Sequence, residues 1–199
     1  MKELLVATRN KGKIREIRDL LKDFDFKITS LDDYPDLPQI VEDGRTFASN
    51  ALKKAATISQ FTKTLVMGED SGLEVRALEN HPGVHSARYS GENASDRRNN
   101  TKLLRELRGV PLAQRQARYR CFVALTDAKG IVAVVNSSCS GLIARRSSGT
   151  NGFGYDPLFY LPKYQKTFGE LDPVIKSRIS HRARAMRKIK IVLREYLRG

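Results

Sequence analysis

Cysteine, acidic charge and long apolar runs are all scarce in this 199-residue chain. There are only two cysteines, Cys121 and Cys139, and no CxxC spacing, which argues against zinc and removes a thiol redox motif. Both lie in apolar, strand-like segments, so buried free thiols are expected, with a disulfide left open. No apolar run approaches the roughly 20 residues that span a bilayer. The stretch Met1-Lys2-Glu3-Leu4-Leu5-Val6 holds one lysine and too short an apolar segment for a signal peptide. The expected location is therefore cytoplasmic. Internal repeats, low-complexity tracts and long linkers are missing too. Acids number 22 against 36 Lys and Arg, a formal net charge of +14.

Hydrophobic residues make up 40% of the chain and charged residues 29%, the balance of a soluble globular protein rather than a disordered one. The length suits one large domain or two close lobes. A surface this basic attracts polyanions, either nucleic acid or free nucleotides, unless it is simply a solvated basic surface. The charge is uneven. From Glu16 to Asp43 there are nine acids against three basic residues, and from Lys176 to Gly199 nine basic residues against one acid. That asymmetry points to an anion site near the C-terminus and a metal-friendly acidic patch elsewhere.

The chain opens as strand, turn and helix: Lys2 to Thr8 reads as a buried strand, and Lys11 to Leu21 has helical spacing (Ile14, Ile17, Leu20, Leu21). Asn10 is a fair N-cap, so Thr8, Asn10 and Lys13 gather at a helix N-terminus, where amides and the macrodipole favour an anion. Its glycine spacing is not that of a P-loop. Lys27 to Leu31 reads as a strand, Asp32 to Pro38 as an acidic loop, and Thr46 to Phe61 as a helix with Phe47, Ala51, Leu52, Ala55 and Ile58 on one face. Glu42 lies just before that helix. Ser95 to Leu107 reads as a charged helix. Arg115 to Thr126 and Ile131 to Ser140 read as an antiparallel hairpin. Leu158 to Tyr160 is strand-like. Lys176 to Arg182 leads into a final helix with Ser180 as N-cap and Met186, Ile189, Leu193, Tyr196 and Leu197 on its apolar face.

Met67-Gly68-Glu69-Asp70-Ser71-Gly72-Leu73 carries the densest chemistry. Apolar runs flank it, so its two carboxylates are expected at a strand end, where they could hold a divalent metal or take a proton from water. A solvated turn fits the same residues. Arg145 to Pro157 is a loop with three glycines, two aromatics and an aspartate. Phe153 there could stack on a planar base or anchor the turn from within. His181, beside Lys176 and Arg182, reads as structural or as a phosphate or base contact.

Taken in order, six pieces resemble the inosine triphosphate pyrophosphatase family, over Val6 to Ala185. They are Ala7-Thr8-Arg9-Asn10-Lys11-Gly12-Lys13; Glu42 with Thr46-Phe47 and Asn50-Ala51; Asp70-Ser71-Gly72-Leu73; Pro82-Gly83-Val84 through Ser86-Ala87-Arg88-Tyr89; Gly152-Phe153-Gly154-Tyr155-Asp156-Pro157; and Ile179-Ser180-His181-Arg182. The resemblance implies an α/β fold, an elongated mixed β-sheet flanked by helices in two lobes with a central cleft, as a single domain over residues 1–199. It implies hydrolysis of non-standard purine nucleoside triphosphates (ITP, dITP, XTP) to the monophosphate and pyrophosphate, with Mg²⁺, in a homodimer that needs neither membrane nor nucleic acid.

The implied roles follow residue by residue. Thr8, Arg9, Asn10, Lys11, Gly12 and Lys13 match the triphosphate loop, and Glu42 and Asp70 the metal site. Asp70 also matches the proton acceptor for the attacking water. Ser71 matches a substrate contact, Phe153, Gly154, Tyr155 and Asp156 the base pocket, and Lys176, His181 and Arg182 contacts to base and phosphate. Two positions depart from the family pattern: Ser49 stands where Glu is frequent, and Glu69 where Asp is frequent. The competing readings are a basic nucleic-acid-binding protein and a pyrophosphatase for other modified nucleotides.

Overall fold

The computed structural model of the chain describes residues 2–198. Its strands are β1 (Lys2–Val6), β2 (Phe26–Ser30), β3 (Leu65–Val75), β4 (Gln116–Asp127), β5 (Gly130–Ile143), β6 (Phe159–Leu161) and β7 (Lys166–Thr167). Its helices are α1 (Lys11–Leu21), α2 (Phe47–Thr62), α3 (Asp96–Glu106), α4 (Pro173–Ile179) and α5 (His181–Arg198). The strands form one seven-stranded sheet in the order β2-β1-β3-β4-β5-β6-β7. β1 is parallel to β2 and β3, while β6 is antiparallel to β5 and β7, so the sheet is mixed as expected.

The local signals explain most elements. Asn10 caps α1 by accepting the Lys13 N–H, and Ile14, Ile17 and Leu21 bury one stripe of the helix. Thr46 and Ser49 cap α2 reciprocally, and that helix ends where Lys63 turns left-handed at φ 56°. Ser49 is thus spent on the helix start: its hydroxyl donates to the Thr46 carbonyl and accepts the Thr46 N–H. β4 and β5 are neighbours joined across Ala128-Lys129, the expected hairpin.

The structure departs from the sequence reading in four places. β3 does not end at Glu69-Asp70, nor does the chain turn there; one strand of 11 residues runs through the whole motif. The apolar residues Leu65 to Met67 and Leu73 to Val75 are two halves of one buried strand, with the polar residues inside it. Lys176 belongs to a separate helix, α4, which starts at Pro173 behind the Asp172 cap. α4 and α5 break at a single residue where one lead-in was expected; that residue, Ser180, is extended, closes α4 and directly precedes His181, the N-cap position expected for it. Finally, Leu197 is exposed rather than on the apolar face of α5.

The chain divides into two compact units, Met1–Asp70 with Cys121–Ser137 and Arg182–Gly199, and Ser71–Arg120 with Ser138–His181. The first unit has two cores. One packs α1 and α5 on Leu4, Val6, Leu65, Met67, Cys121, Val123 and Leu125. The other packs α2 on Leu5, Ala7, Val66 and Ala124. Alternate residues of β1, β3 and β4 therefore face opposite layers, as the strand period of two requires. The second unit closes α3 and the loops around Leu73, Val75, Tyr119, Phe159, Phe168 and Leu171. Among the described residues, no helix is long and apolar enough to cross a membrane.

Candidate active site

The alternation along β3 fixes the chemistry of the first unit. Leu65 and Met67 face α1 and α5, so Glu69 faces them as well. There Lys13 Nζ lies 2.8 Å from Glu69 Oε2 and Arg182 Nη2 lies 3.1 Å from Oε1. Arg182 also pairs with Glu16, and the Cys121 thiol donates to Glu69 Oε1 at 3.3 Å. Burying a carboxylate costs several kcal/mol unless its partners compensate. Here two cations meet two carboxylates. Despite complete burial, Arg182 and Lys13 hold the Glu69 carboxyl well below the ordinary glutamate range. Burial and the Glu69 charge push the Cys121 thiol well up, and both cysteines are buried free thiols.

Asp70, one residue along, faces α2. Its Oδ2 accepts from Asn50 Nδ2 at 3.1 Å, and Oδ1 lies 3.3 Å from Lys54 Nζ. The same ammonium is 2.8 Å from Glu42 Oε2. Close approach of β3 to α2 depends on Gly68, since a Cβ there would meet the Ala51 carbonyl at 2.1 Å. One lysine therefore serves two carboxylates. Burial, with the Glu42 charge added, raises the Asp70 carboxyl above the ordinary aspartate value of 3.8, against the pull of Lys54 and Lys13. Glu42 goes the other way: burial opposes its charge, but Lys54 holds its carboxyl below the usual range.

Around these two clusters lies the loop entering α1. Asn10 N–H donates to Thr8 Oγ1 at 3.2 Å, which orders the turn, and Lys13 is the member that reaches Glu69. Arg9 and Lys11 are exposed, Arg9 pairing with Asp32 at 3.4 Å, and Gly12 is half-buried in the first turn.

In the second unit, Asp156 is buried and gathers its own loop. Its Oδ2 accepts from Phe153 N–H at 2.9 Å and from Lys176 Nζ at 2.6 Å, and Tyr119 OH approaches Oδ1 at 3.4 Å. Lys176 Nζ also lies 5.1 Å from the Phe153 ring centroid. His181 is buried with its ring stacked on Tyr119, centroids 4.5 Å apart and planes 10° apart. Tyr155 is buried as well and donates its hydroxyl to the Ser86 carbonyl at 2.8 Å, so it acts as an internal anchor of the loop. Ser71 follows Asp70 on β3 and is half-buried.

The structure thus groups the expected residues into three sets. Lys13 and Arg182 share Glu69, Glu42 and Asp70 share Lys54, and Phe153, Asp156 and Lys176 form the third set with His181 close to their Tyr119 partner. Arg182, expected at the base or phosphate with His181, has its guanidinium between Glu16 and Glu69, the anions that its burial calls for. Lys54 and Tyr119 were not singled out from sequence, and Asn50 entered only as part of a family-like piece, with no role assigned. Lys54 and Asn50 did leave a signal: they sit four residues apart within the buried stripe Phe47, Asn50, Ala51, Lys54, Ala55, Ile58 of α2. A lysine on such a stripe needs a buried anion.

The profile of the Ham1 family matches residues 4–192. A dITP/XTP pyrophosphatase of Desulforamulus reducens is 47% identical over 191 residues, covering 96% of this chain and 95% of that protein. Another, of Geobacillus kaustophilus, is 50% identical over 189 residues, covering 95% and 93%. Among solved structures, a HAM1 protein from Coxiella burnetii superposes with a TM-score of 0.87 at 38% identity, covering 98% of this chain and all of the other. The Staphylococcus aureus Ham1 protein gives 0.87 at 36% identity, with the same coverage.

Proposed function

This chain belongs to the Ham1 family, and on that premise we propose that it hydrolyses non-standard purine nucleoside triphosphates, dITP, ITP and XTP, to the monophosphate and pyrophosphate, cleansing the nucleotide pool. The observation that carries the reading is the Asp70–Lys54–Glu42 cluster. Three groups with a combined charge of −1 are held together in a mostly buried site, and the carboxyl of Asp70 is raised. Such a cluster gains from a divalent cation, and the donor set suits Mg²⁺, which takes one or two carboxylates and fills its shell with water and phosphate oxygens. Glu42 and Asp70 would hold the ion, and its role would be to neutralise phosphate charge.

This chain's residues would do the rest. Lys13, Thr8, Asn10 and the N-terminus of α1 receive the triphosphate, whose charge suits a helix start and an ammonium. Asp70 accepts a proton from the attacking water as its oxygen bonds to the α-phosphorus and the link to the leaving pyrophosphate breaks. Lys54, beside Asp70, offsets the negative charge that builds up. Phe153 stacks on the purine, and Asp156 fixes the loop that presents it. Lys176 and His181 are the donors suited to a 6-carbonyl, which hypoxanthine and xanthine have and adenine lacks.

Purified protein with Mg²⁺ is expected to convert dITP and XTP to monophosphate and pyrophosphate, with ATP and GTP much slower. Release of orthophosphate in place of pyrophosphate would overturn the proposed bond specificity. The homodimer implied by the family resemblance and the cytoplasmic location expected from the sequence belong to the same reading, and sedimentation in solution together with cell fractionation would check them.

A further inference from the structure

We propose that Asp96 and Asn100 of α3 are positioning residues for the base loop, fixing the backbone on which Phe153 presents its ring. The proposal rests on the assignment of Phe153 to the purine. Gly154 N–H donates to Asp96 Oδ2 at 2.6 Å, and Asn100 Nδ2 donates to the Gly154 carbonyl at 3.0 Å. Asp96 and Asn100 are four residues apart and share one face of the helix. They therefore hold two successive peptide groups, one on each side of Gly154. The peptide before Phe153 is held separately, by Phe153 N–H donating to Asp156 Oδ2 at 2.9 Å. Both peptide planes that flank Phe153 are thus tied, which determines its φ and ψ and the direction of its Cβ.

Packing does not do this on its own. A cavity of about 500 Å³ lies against α3 and the loop, lined among others by Asp96, Asn100, Gly152, Phe153 and Gly154. Beside that space, hydrogen bonds are what tie the loop to the helix. Gly154 adopts φ +62°, and a Cβ built on it meets nothing within 4 Å, so this residue itself packs against nothing. Nor does α3 need these bonds to form. Ser95 caps it by accepting from Arg98 N–H, and Leu103 and Leu107 anchor it in the core. Asp96 is exposed and Asn100 is buried against the loop, its Oδ1 without a hydrogen-bond partner among the described residues. A stacking residue loses affinity for its base when it must be ordered at the moment of binding.

The test is the Asp96→Ala, Asn100→Ala double variant, with each single variant beside it, assayed for dITP and XTP turnover. Inorganic tripolyphosphate serves as a competitive inhibitor that reports the phosphate end alone. We expect KM for dITP and XTP to rise about tenfold in the double variant, with kcat within about twofold. The dITP-to-dATP preference in kcat/KM should shrink, and the tripolyphosphate Ki should stay unchanged. Asp96→Asn, which keeps an acceptor, should restore most of the KM. If the double variant does not fold, the exposed Asp96→Ala single variant carries the test, with a smaller rise in KM. An unchanged dITP KM, or a tripolyphosphate Ki that rises in parallel with it, would overturn the proposal. Phe153→Ala separates this from the underlying reading. Silence in Phe153→Ala removes the base-loop assignment itself, whereas a raised KM there with a silent α3 variant removes only the clamp.

Discussion

On one face of β3, Glu69 is enclosed by Lys13, Arg182 and the Cys121 thiol; on the other, one residue along, Asp70 shares a single ammonium with Glu42. The two side chains are chemically alike and both are buried. Their carboxyls nevertheless move in opposite directions, Glu69 well below its ordinary range and Asp70 above. What differs is the supply of cations, set by which helix each face meets. α1 and α5 bring Lys13 and Arg182 to Glu69, and α2 brings Lys54, which Asp70 shares with Glu42. A balanced network holds the fold together, and an under-compensated one is left reactive. The linkage signs follow. An ionised Glu69 stabilises the native state, whereas an ionised Asp70 costs stability at any pH above its native pKa, so it is retained for chemistry rather than for folding.

The largest expected effect comes from Asp70→Asn. Turnover of dITP should fall about 10²–10⁴-fold, the range that a positioned general base supplies. Stability at neutral pH should hold or rise, since a neutral amide relieves a carboxylate whose ionisation the fold disfavours. Steady-state rates and a denaturant titration on the same preparation check both halves. Near-full turnover would take Asp70 out of the mechanism, and a large loss of stability would erase the contrast with Glu69.

Glu69→Gln should do the reverse. Removing one member of a buried charge network leaves Arg182 and Lys13 short of an anion, and about 3–5 kcal/mol of stability should be lost. The pH dependence has a definite sign. The native pKa of Glu69 lies below its unfolded value, so its stabilisation is present above the unfolded value and fades as pH falls toward the native one. Unfolding free energy of the parent protein should therefore drop on acidification more steeply than that of Glu69→Gln. Parallel curves would mean that Glu69 contributes no such linkage.

The sequence carried the elements and the identities of most site residues, because caps, stripes and alternation are local. Asn10, Thr46 and Ser95 cap the helices they were expected to start or precede. The local pattern did not sort Glu69 from Asp70; only the family resemblance gave the metal and the proton to Asp70. Read as a turn or strand end, the pair looks interchangeable; read as the middle of β3, the two residues must face opposite layers. The apolar residues on both sides were the available sign of a continuous strand, and the glycines and polar residues between them masked it. The placement of Arg182 was equally out of reach. Its partners Glu16 and Glu69 lie 166 and 113 residues away, and no local pattern links positions so distant.

The smallest expected effect, and the sharpest on the α2 face, belongs to Lys54→Met. The substitution keeps the aliphatic packing of the buried stripe and removes the one ammonium between Glu42 and Asp70. Lys54 is the strongest influence opposing the burial that raises Asp70, so without it the carboxyl should rise further. If Asp70 is the base, the acid limb of kcat/KM for dITP should lie at higher pH in Lys54→Met than in the parent protein. Above that limb some activity should survive, because the base itself is intact. A pH–rate profile of both proteins at saturating Mg²⁺ reads the shift. An acid limb that stays in place, with a uniform loss of rate, would mean that Lys54 acts on the substrate phosphates and leaves the ionisation of Asp70 alone.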